Sequence, residues 1–582
     1  MVVRRLSPMG VHWLLYVLPL LAGCVALRGG LPTAPALFPV DGASEARAMG
    51  HFLKAKIALD TGDYARATAE YENAVAADPD SIIPRMRLAT LYVRAGDLLG
   101  ANEQCEAIMA AAPDHIEARL LGAGVLTALG RDDAAMAQYD EVLTREPENQ
   151  EACLYLGALY AKQNRTDEAL ATFQKLIEIN PESVLGYYYL GRVHAMRKSY
   201  GDAEKAFRRA LRLDPRSEQV VTALAIMYQL QERKDKAIEL YERFIRENPK
   251  NLMVRRRLGA LLVDERKFDE ALEQFHEIEG LEADPRETRA KIGLVNFEKG
   301  DYEAAITAFN LVLASSPNDH GVRYYLGVVY AVAKQPNEAI REFSAVAPGT
   351  EHYVEARLQL GHLHQQAGEL DAAIVAIGEA LETLPDNMEL LGALASLYRE
   401  KKELGAAIEI LERMVGLEPG NDRVHFTLGA LYDEAKNKDK AIEEMRRAIE
   451  LNPRNAAALN YLGYTFADLD IRLDEAEELV RRALEIEPHE GFYVDSLGWI
   501  YYRRGDYAAA VKHLEAAVEL AEDDPTISEH LGDAYGKLNR CEDALRLYRR
   551  ALGYAEEQEQ VDRLRHKISA LEGGEKAQRG VE

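Results

Sequence analysis

The sequence predicts an all-α protein: a right-handed superhelical solenoid of about fifteen helix-turn-helix repeats, closed by a C-terminal capping helix. The first observation is a 34-residue period that runs from about Ala48 to Asn455 with no residue gained or lost. The second is that each period holds two segments with helical apolar spacing, separated by turn signals such as Thr61-Gly62-Asp63. The third is a proline that closes most periods, as at Pro181 and Pro215. A fixed period of this length indicates supersecondary units that stack on their neighbours.

Residues 1–23 have the composition of a secretory signal peptide. Arg4 and Arg5 precede an apolar run, Val11 to Leu21, that is too short for a comfortable membrane span. The next residues, Leu21-Ala22-Gly23-Cys24, resemble the lipobox of bacterial lipoproteins. That resemblance implies cleavage before Cys24, diacylglycerol on its sulfur and acylation of the new amino terminus, which together anchor a protein stably. The alternative is an ordinary short anchor helix with a chance cysteine.

Residues 24–47 are rich in Pro, Gly and Ala, and we expect them to form a flexible tether between lipid and solenoid. The residue after Cys24 is Val25 and not Asp. By analogy with bacterial lipoprotein sorting, this favours the periplasmic face of the outer membrane over the inner membrane.

Residues 48–558 carry the repeats, and their motif has a simple physical interpretation. One period reads Cys153, Leu156, Gly157, Tyr160, Ala169, Phe173 and Pro181. The first large residue, Leu and Tyr share one face of a first helix, and the Gly after Leu allows a second helix to approach closely. This spacing is that of the tetratricopeptide repeat, which the chain resembles over about fifteen units. The resemblance implies a groove, lined by the first helices, that binds protein or peptide partners.

The repeats are predicted to start near fifteen positions, and three of them depart from the pattern. The first has Lys54-Ala55 in place of Leu-Gly, the seventh moves its closing proline to Pro285, and the thirteenth has one extra residue between Asp468 and Leu473. The predicted starts are residues 48, 82, 116, 150, 184, 218, 252, 286, 320, 354, 388, 422, 456, 491 and 525.

Residues 559–582 are predicted to form a capping helix and a disordered tail. Val561, Leu564, Ile568 and Leu571 keep helical spacing after the last repeat. We expect Gly573-Gly574 to end this helix, since glycine pairs favour helix termination.

Charge and missing motifs restrict the function. The net charge of −26 disfavours nucleic acid binding, which needs a basic surface. The sequence has no Walker loop, no G-x-S-x-G, no H-E-x-x-H and no C-x-x-C. Too few residues remain outside the repeats to build an enzyme core. We therefore expect no catalytic residues, no metal and no cofactor, and we interpret Cys105 and Cys153 as small core residues.

The candidate binding residues lie on the first helices, two and five positions from the Leu of each Leu-Gly pair. Repeats thirteen and fourteen place aromatic and hydrogen-bonding side chains there, of the types that anchor interfaces. Trp499 has a second interpretation, as a core residue packed between helices. A weaker candidate pair in repeat five is Tyr188 with Arg192. The predicted residues of the main site are Asn460, Tyr464, Phe492, Asp495, Trp499 and Tyr502.

The C-terminal repeats carry a closer resemblance. The segments Asn460-Tyr-Leu-Gly-Tyr464, Asp495-Ser-Leu-Gly-Trp499 and His530-Leu-Gly-Asp533 are similar to those of a group of bacterial outer-membrane lipoproteins. One member of that group is the adaptor of a periplasmic carboxy-terminal processing protease. The resemblance implies a scaffold that links a protease or cell-wall hydrolase to its substrates. The alternative function is assembly or export of envelope polysaccharide or pili.

Overall fold

The computed structural model describes residues 42–579, which divide into two compact units within Met1–Thr288 and Arg289–Glu582. Helices of the first unit are α1 (Gly42–Asp60), α2 (Tyr64–Ala77), α3 (Ile82–Ala95), α4 (Leu98–Ala111), α5 (Ile116–Ala128), α6 (Asp132–Arg145), α7 (Gln150–Lys162), α8 (Thr166–Ile179), α9 (Val184–Met196), α10 (Tyr200–Leu213), α11 (Glu218–Leu230), α12 (Lys234–Glu247), α13 (Leu252–Asp264) and α14 (Phe268–Leu281). The boundary falls within α15 (Arg286–Lys299), most of which belongs to the second unit. Helices of the second unit are α16 (Tyr302–Ser315), α17 (His320–Val332), α18 (Pro336–Ser344), α19 (Tyr353–Gln366), α20 (Leu370–Thr383), α21 (Met388–Glu400), α22 (Leu404–Leu417), α23 (Asp422–Glu434), α24 (Lys438–Leu451), α25 (Ala456–Asp468), α26 (Leu473–Ile486), α27 (Gly491–Arg503), α28 (Tyr507–Leu520), α29 (Pro525–Lys537), α30 (Cys541–Tyr554) and α31 (Gln558–Arg579).

The helices pair as the period predicts. Within residues 42–579, the first helix of each repeat from the second to the fifteenth begins within one residue of its predicted start. Inside each unit, a first helix packs on the second helix of its own repeat and on the second helix of the repeat before it, as α23 does with α24 and α22. The all-α solenoid-like fold of helix-turn-helix repeats is thereby confirmed.

The turn between the two helices of a repeat uses one left-handed residue, every 34 residues. At Gly96 the φ angle is 83°, and the following N–H, of Asp97, donates to the carbonyl of Tyr92 and so ends the first helix. The Asp97 side chain then accepts from the N–H of Gly100 and caps the second helix. The left-handed residues at this turn are Gly62, Gly96, Gly130, Asn164, Lys198, Glu232, Arg266, Gly300, Lys334, Gly368, Lys402, Lys436, Asp470, Gly505 and Asn539. In repeat thirteen, Arg472 is left-handed as well, which places the extra residue inside the predicted segment.

The glycine of Leu-Gly has the predicted role of bringing two helices together. A Cβ atom added at Gly293 would lie 2.6 Å from Cε1 of Phe309, the aromatic residue of the paired second helix. Phe309 is fully buried. At Gly532 the same contact would be with Tyr548, also at 2.6 Å. The aromatic ring therefore fills the space that the missing side chain leaves.

Two elements differ from the expectations. Helix α18 has only nine residues, Pro336–Ser344, because Pro348 and Gly349, at φ 78°, follow in a loop. Helix α31 continues through Gly573-Gly574 to Arg579, so the prediction that this pair ends it is wrong. Glycine costs about 1 kcal/mol in a helix but does not forbid one, and good helix formers such as Lys576 and Ala577 follow.

The first helices line one face of each unit. In the first unit, α3 contacts α5, and α9 contacts both α7 and α11. In the second unit, α19 contacts α21, and α27 contacts both α25 and α29. All these contacts join first helices of neighbouring repeats, so the first helices lie on the more closely packed side. We call the residues two and five positions from each Leu of Leu-Gly on this side the groove face.

Several expectations concern residues beyond the described range. The signal peptide, Cys24 and most of the tether lie outside residues 42–579. Within that range no helix combines the length and apolar character needed to cross a bilayer, and no group of His, Cys, Asp or Glu is arranged to hold a metal ion. Cys105 and Cys153 are buried free cysteines, and burial raises the pKa of Cys105 to about 12.

Candidate partner-binding groove in the second unit

The centre of the candidate site is a stack of aromatic rings on α27 and α29. The ring of Tyr502 lies 4.6 Å from the Trp499 ring, centroid to centroid, at an interplanar angle of 7°. The imidazole of His530, on the next first helix, lies 4.1 Å from Trp499 at 17°. Trp499 is only 9% exposed. The indole thus packs between neighbouring repeats and forms the floor of the groove face at this point.

A buried ion pair orients the imidazole. His530 Nδ1 lies 2.9 Å and 3.0 Å from the two carboxylate oxygens of Asp495, and both side chains are buried. Burial alone would lower the pKa of His530, but the negative charge of Asp495 and its hydrogen bond raise it. Asp495 therefore holds the imidazole ring in the plane that stacks on Trp499.

Asn460 and Tyr464, on α25, complete this surface. The Tyr464 ring lies 6.2 Å from His530, and burial raises the pKa of its hydroxyl. Asn460 Oδ1 and Trp499 Nε1 are buried atoms without a hydrogen-bond partner among residues 42–579. An acceptor and a donor without hydrogen-bond partners thus lie buried on adjacent first helices. Buried polar atoms without partners raise the free energy of the free chain, so a rearrangement of this face that gave them partners would be favourable.

Phe492 and Tyr502 differ in their accessibility. Phe492, in the first turn of α27, is 52% exposed. Tyr502 is half-buried, and burial raises the pKa of its hydroxyl to about 12. Of the predicted site residues, Phe492 offers the most apolar surface to a partner. The structure therefore brings four of the six predicted residues together around His530 (Tyr464, Asp495, Trp499 and Tyr502) and places Asn460 and Phe492 on the same two helices, Phe492 being the more exposed.

Sequence reasoning missed a charged network that joins α29 to α31. Arg563 Nε lies 2.7 Å from Glu529 Oε1, and Lys567 Nζ lies 2.8 Å from Glu529 and 2.6 Å from Asp533. Burial would raise the pKa of Glu529, but hydrogen bonds from Arg563 and Lys567 outweigh it and lower the pKa to about 2. The sequence signal was available: both Arg563 and Lys567 follow their main partners by 34 residues. Helix α31 thus takes the place of a first helix, and the groove positions of repeat fifteen are already paired.

The weaker candidate pair lies in the first unit and is largely internal. Tyr188 is 7% exposed and packs edge-on to Tyr189 at 5.0 Å and near Phe207 at 6.2 Å. The Arg192 guanidinium lies 5.6 Å from the rings of both tyrosines. The pair stabilises the packing of α9 on α10 and leaves Tyr188 little surface for a ligand.

A cavity on repeats eleven and twelve was also missed. It measures about 420 Å³ and opens on the groove face of α21 and α23. The small residues Gly392 and Ser396 occupy groove positions that larger side chains take in repeat fourteen. Small residues at groove positions where another repeat carries large ones were thus the sequence signal for the cavity. The lining residues are Gly392, Ala395, Ser396, Arg399, Leu411, Met414, Asn421, Arg423, Val424, Phe426, Thr427, Ala430 and Leu431.

Comparisons with known families all find the same repeat. One tetratricopeptide repeat profile matches residues 126–184, 154–218, 222–288, 290–351 and 358–422. A second tetratricopeptide repeat profile matches residues 58–123 and 398–463, and a third, described as TPR repeat, matches 498–539. Together these matches cover most of the described chain.

Individual relatives are similar over shorter stretches. The TPR repeat-containing protein PA4667 of Pseudomonas aeruginosa is 38% identical over 79 residues, which is 14% of this chain. The chain spans only 13% of that relative's length. A tetratricopeptide repeat protein from Parabacteroides merdae is similar in structure, with 21% identity, a TM-score of 0.36, and coverage of 43% of this chain and 99% of the other. YrrB, described as a TPR protein with an unusual peptide-binding site, has 20% identity and a TM-score of 0.28 over 30% of this chain and 91% of its own.

Proposed function

The chain belongs to the tetratricopeptide repeat family, and on that basis we propose that it is a scaffold for protein–protein interactions, anchored by lipid at Cys24. Its partner-binding site is the groove face of repeats eleven to fourteen. The observation that carries this proposal is the half-exposed Phe492 on the groove face, where Trp499 Nε1 of the same helix and Asn460 Oδ1 of the preceding first helix are buried without a hydrogen-bond partner among residues 42–579. Binding energy concentrates where aromatic anchors meet desolvated polar groups.

Phe492→Ser is expected to weaken partner binding at least tenfold and to leave the thermal unfolding midpoint unchanged, because the ring is exposed. Trp499 is unsuited to this test, since truncation of a buried Trp costs about 3–5 kcal/mol of stability. The tagged chain would capture partners from detergent-solubilised membranes, and calorimetry would give Kd for the captured protein. Leu520→Ser, at a 46% exposed position on the second helix α28, is the matched control. Equal affinity of the Phe492→Ser and Leu520→Ser variants would exclude the proposed site.

The proposed partner is a periplasmic protease or cell-wall hydrolase, which the scaffold would bring to its substrates. The support is the resemblance of residues 460–533 to the outer-membrane lipoprotein adaptors. The second candidate function, polysaccharide export or pilus assembly, uses the same anchor and scaffold. Identification of the captured proteins separates them: a protease or hydrolase in the first case, a secretin or export porin in the second.

Cys24→Ala is expected to release the protein from the outer membrane, because a chain of net charge −26 gains no electrostatic attraction to anionic lipids that could replace the lipid anchor. The measurement is fractionation of the cell envelope together with metabolic labelling by an alkyne fatty acid. Ser44→Ala, in the first turn of α1, serves as the control and should retain label and location. Membrane association of unlabelled Cys24→Ala protein would contradict the lipid anchor.

A further inference from the structure

The cavity on repeats eleven and twelve has an apolar interior. Leu411 and Met414 of α22 and Val424 and Leu431 of α23 are buried residues that form its walls. Phe426, on the groove face of α23, is half-buried and forms one side of the mouth. A volume of about 420 Å³ lies within the range of pockets that take small ligands or large side chains.

The rim of the cavity is polar and carries two arginines. Ser396 and Thr427 are exposed and offer hydroxyl groups, and the guanidinium of Arg399 is paired with Glu434 at 2.7 Å. Arg423 is exposed, and its guanidinium makes no ion pair with any residue in the 42–579 range. It is therefore the cation at this rim that is available to an incoming anion.

The position of Arg423 strengthens its preference for an anion. It lies in the first turn of α23, where the helix dipole is positive. The neighbouring carboxylate of Asp422 forms no ion pair with Arg423; it accepts hydrogen bonds from the amides of Asn452 and Asn455, both at 2.9 Å. A carboxylate beside Arg423 would thus gain both a charge partner and the helix field.

We propose that this cavity is a side-chain pocket for a partner segment in which a large apolar residue stands next to an acidic residue. The apolar side chain enters the space left by Gly392, and the acidic side chain pairs with Arg423. The inference rests on the proposed function, because it assumes that a protein segment lies along the groove face. It adds the chemical character of that segment, which neither the repeat nor the aromatic cluster specifies.

A random heptapeptide library displayed on phage tests the pocket with the full-length chain as the target. Gly392→Leu is designed to fill the cavity: its Cβ has room, since a Cβ added there would meet only Met414 Cε, at 3.7 Å, and the rest of the side chain would take up cavity space. Gly416→Leu is the matched control, at an exposed position of α22 with open space around it. Both changes replace a helical glycine, so neither is expected to lower the unfolding midpoint.

The wild-type chain is expected to enrich peptides with a large apolar residue beside Asp or Glu. A synthetic peptide of that consensus should bind Gly392→Leu and Arg423→Glu at least tenfold more weakly, and Gly416→Leu unchanged. Peptides without that pattern, or equal binding to Gly392→Leu, would overturn the pocket. If substitution of Phe492 weakens peptide binding and substitution of Gly392 does not, the groove function stands and the pocket fails. If they depend on neither residue, or if none is enriched, both fail.

Discussion

Loss of the two cations that face Glu529 is expected to destabilise the second unit by about 3 kcal/mol. The Glu529 side chain is 4% exposed and paired with Arg563 and Lys567. Removal of the partners of a buried charge costs about 3–5 kcal/mol, and the lower end applies because Arg563 remains half-exposed. The measurement is the free energy of unfolding of Arg563→Gln/Lys567→Gln in urea, followed by circular dichroism.

Glu529→Gln in the same background should recover most of the loss, because it removes the buried charge itself. Arg565→Gln is the control: this residue is 64% exposed, its one ion pair within residues 42–579 is with Asp562 in its own helix, and the change should cost less than about 0.5 kcal/mol. Since the pKa of Glu529 is held at about 2, its contribution is present above pH 4.5 and is lost as the pH falls toward 2. A double variant with wild-type stability would show that α31 does not depend on these pairs.

Gly293→Ala is expected to destabilise the second unit by about 1–3 kcal/mol, although alanine is the better helix former. The new Cβ would lie 2.6 Å from Cε1 of the fully buried Phe309, so either the ring or the helix must move. Urea unfolding followed by circular dichroism gives the difference in free energy.

Gly378→Ala is the control for this glycine, since it also lies in the middle of a helix and no atom comes within 4 Å of the Cβ that alanine would add. There the change should stabilise the protein by about 0.4–1 kcal/mol. The contrast in sign is the expected result. Stabilisation at both positions would mean that the helices of repeat eight are not held at the separation that Gly293 allows.

The sequence predicts most of the fold because the repeat is itself the structural unit. The left-handed turn residue recurs every 34 residues whether it is Gly96 or Lys198, so register survives even where local propensity is poor. The end of α31 was missed for the opposite reason. Gly573-Gly574 is a local signal, and the favourable residues around it outweigh it.

The sequence predicts which helix face carries the candidate site but not how deeply each side chain is buried. Spacing places Trp499 and Phe492 on the groove face, yet Trp499 is 9% and Phe492 52% exposed. Trp499 is the more buried of the two because the imidazole of His530 stacks on its indole. His530 stands one residue before Leu531, which is not a groove position, so the spacing did not predict this contact. The sequence did not predict the cavity beside Gly392, because the cavity arises from small side chains at groove positions of two neighbouring repeats.

Site-specific photocrosslinking tests most directly whether the groove face binds a protein partner. A benzoylphenylalanine replaces Phe492 on the groove face or, as the control, Val375, which is 57% exposed on the second helix α20. In living cells the proposed function predicts a discrete crosslinked protein from position 492 and none from position 375. No crosslink at 492, or the same products from both positions, would contradict a partner-binding groove.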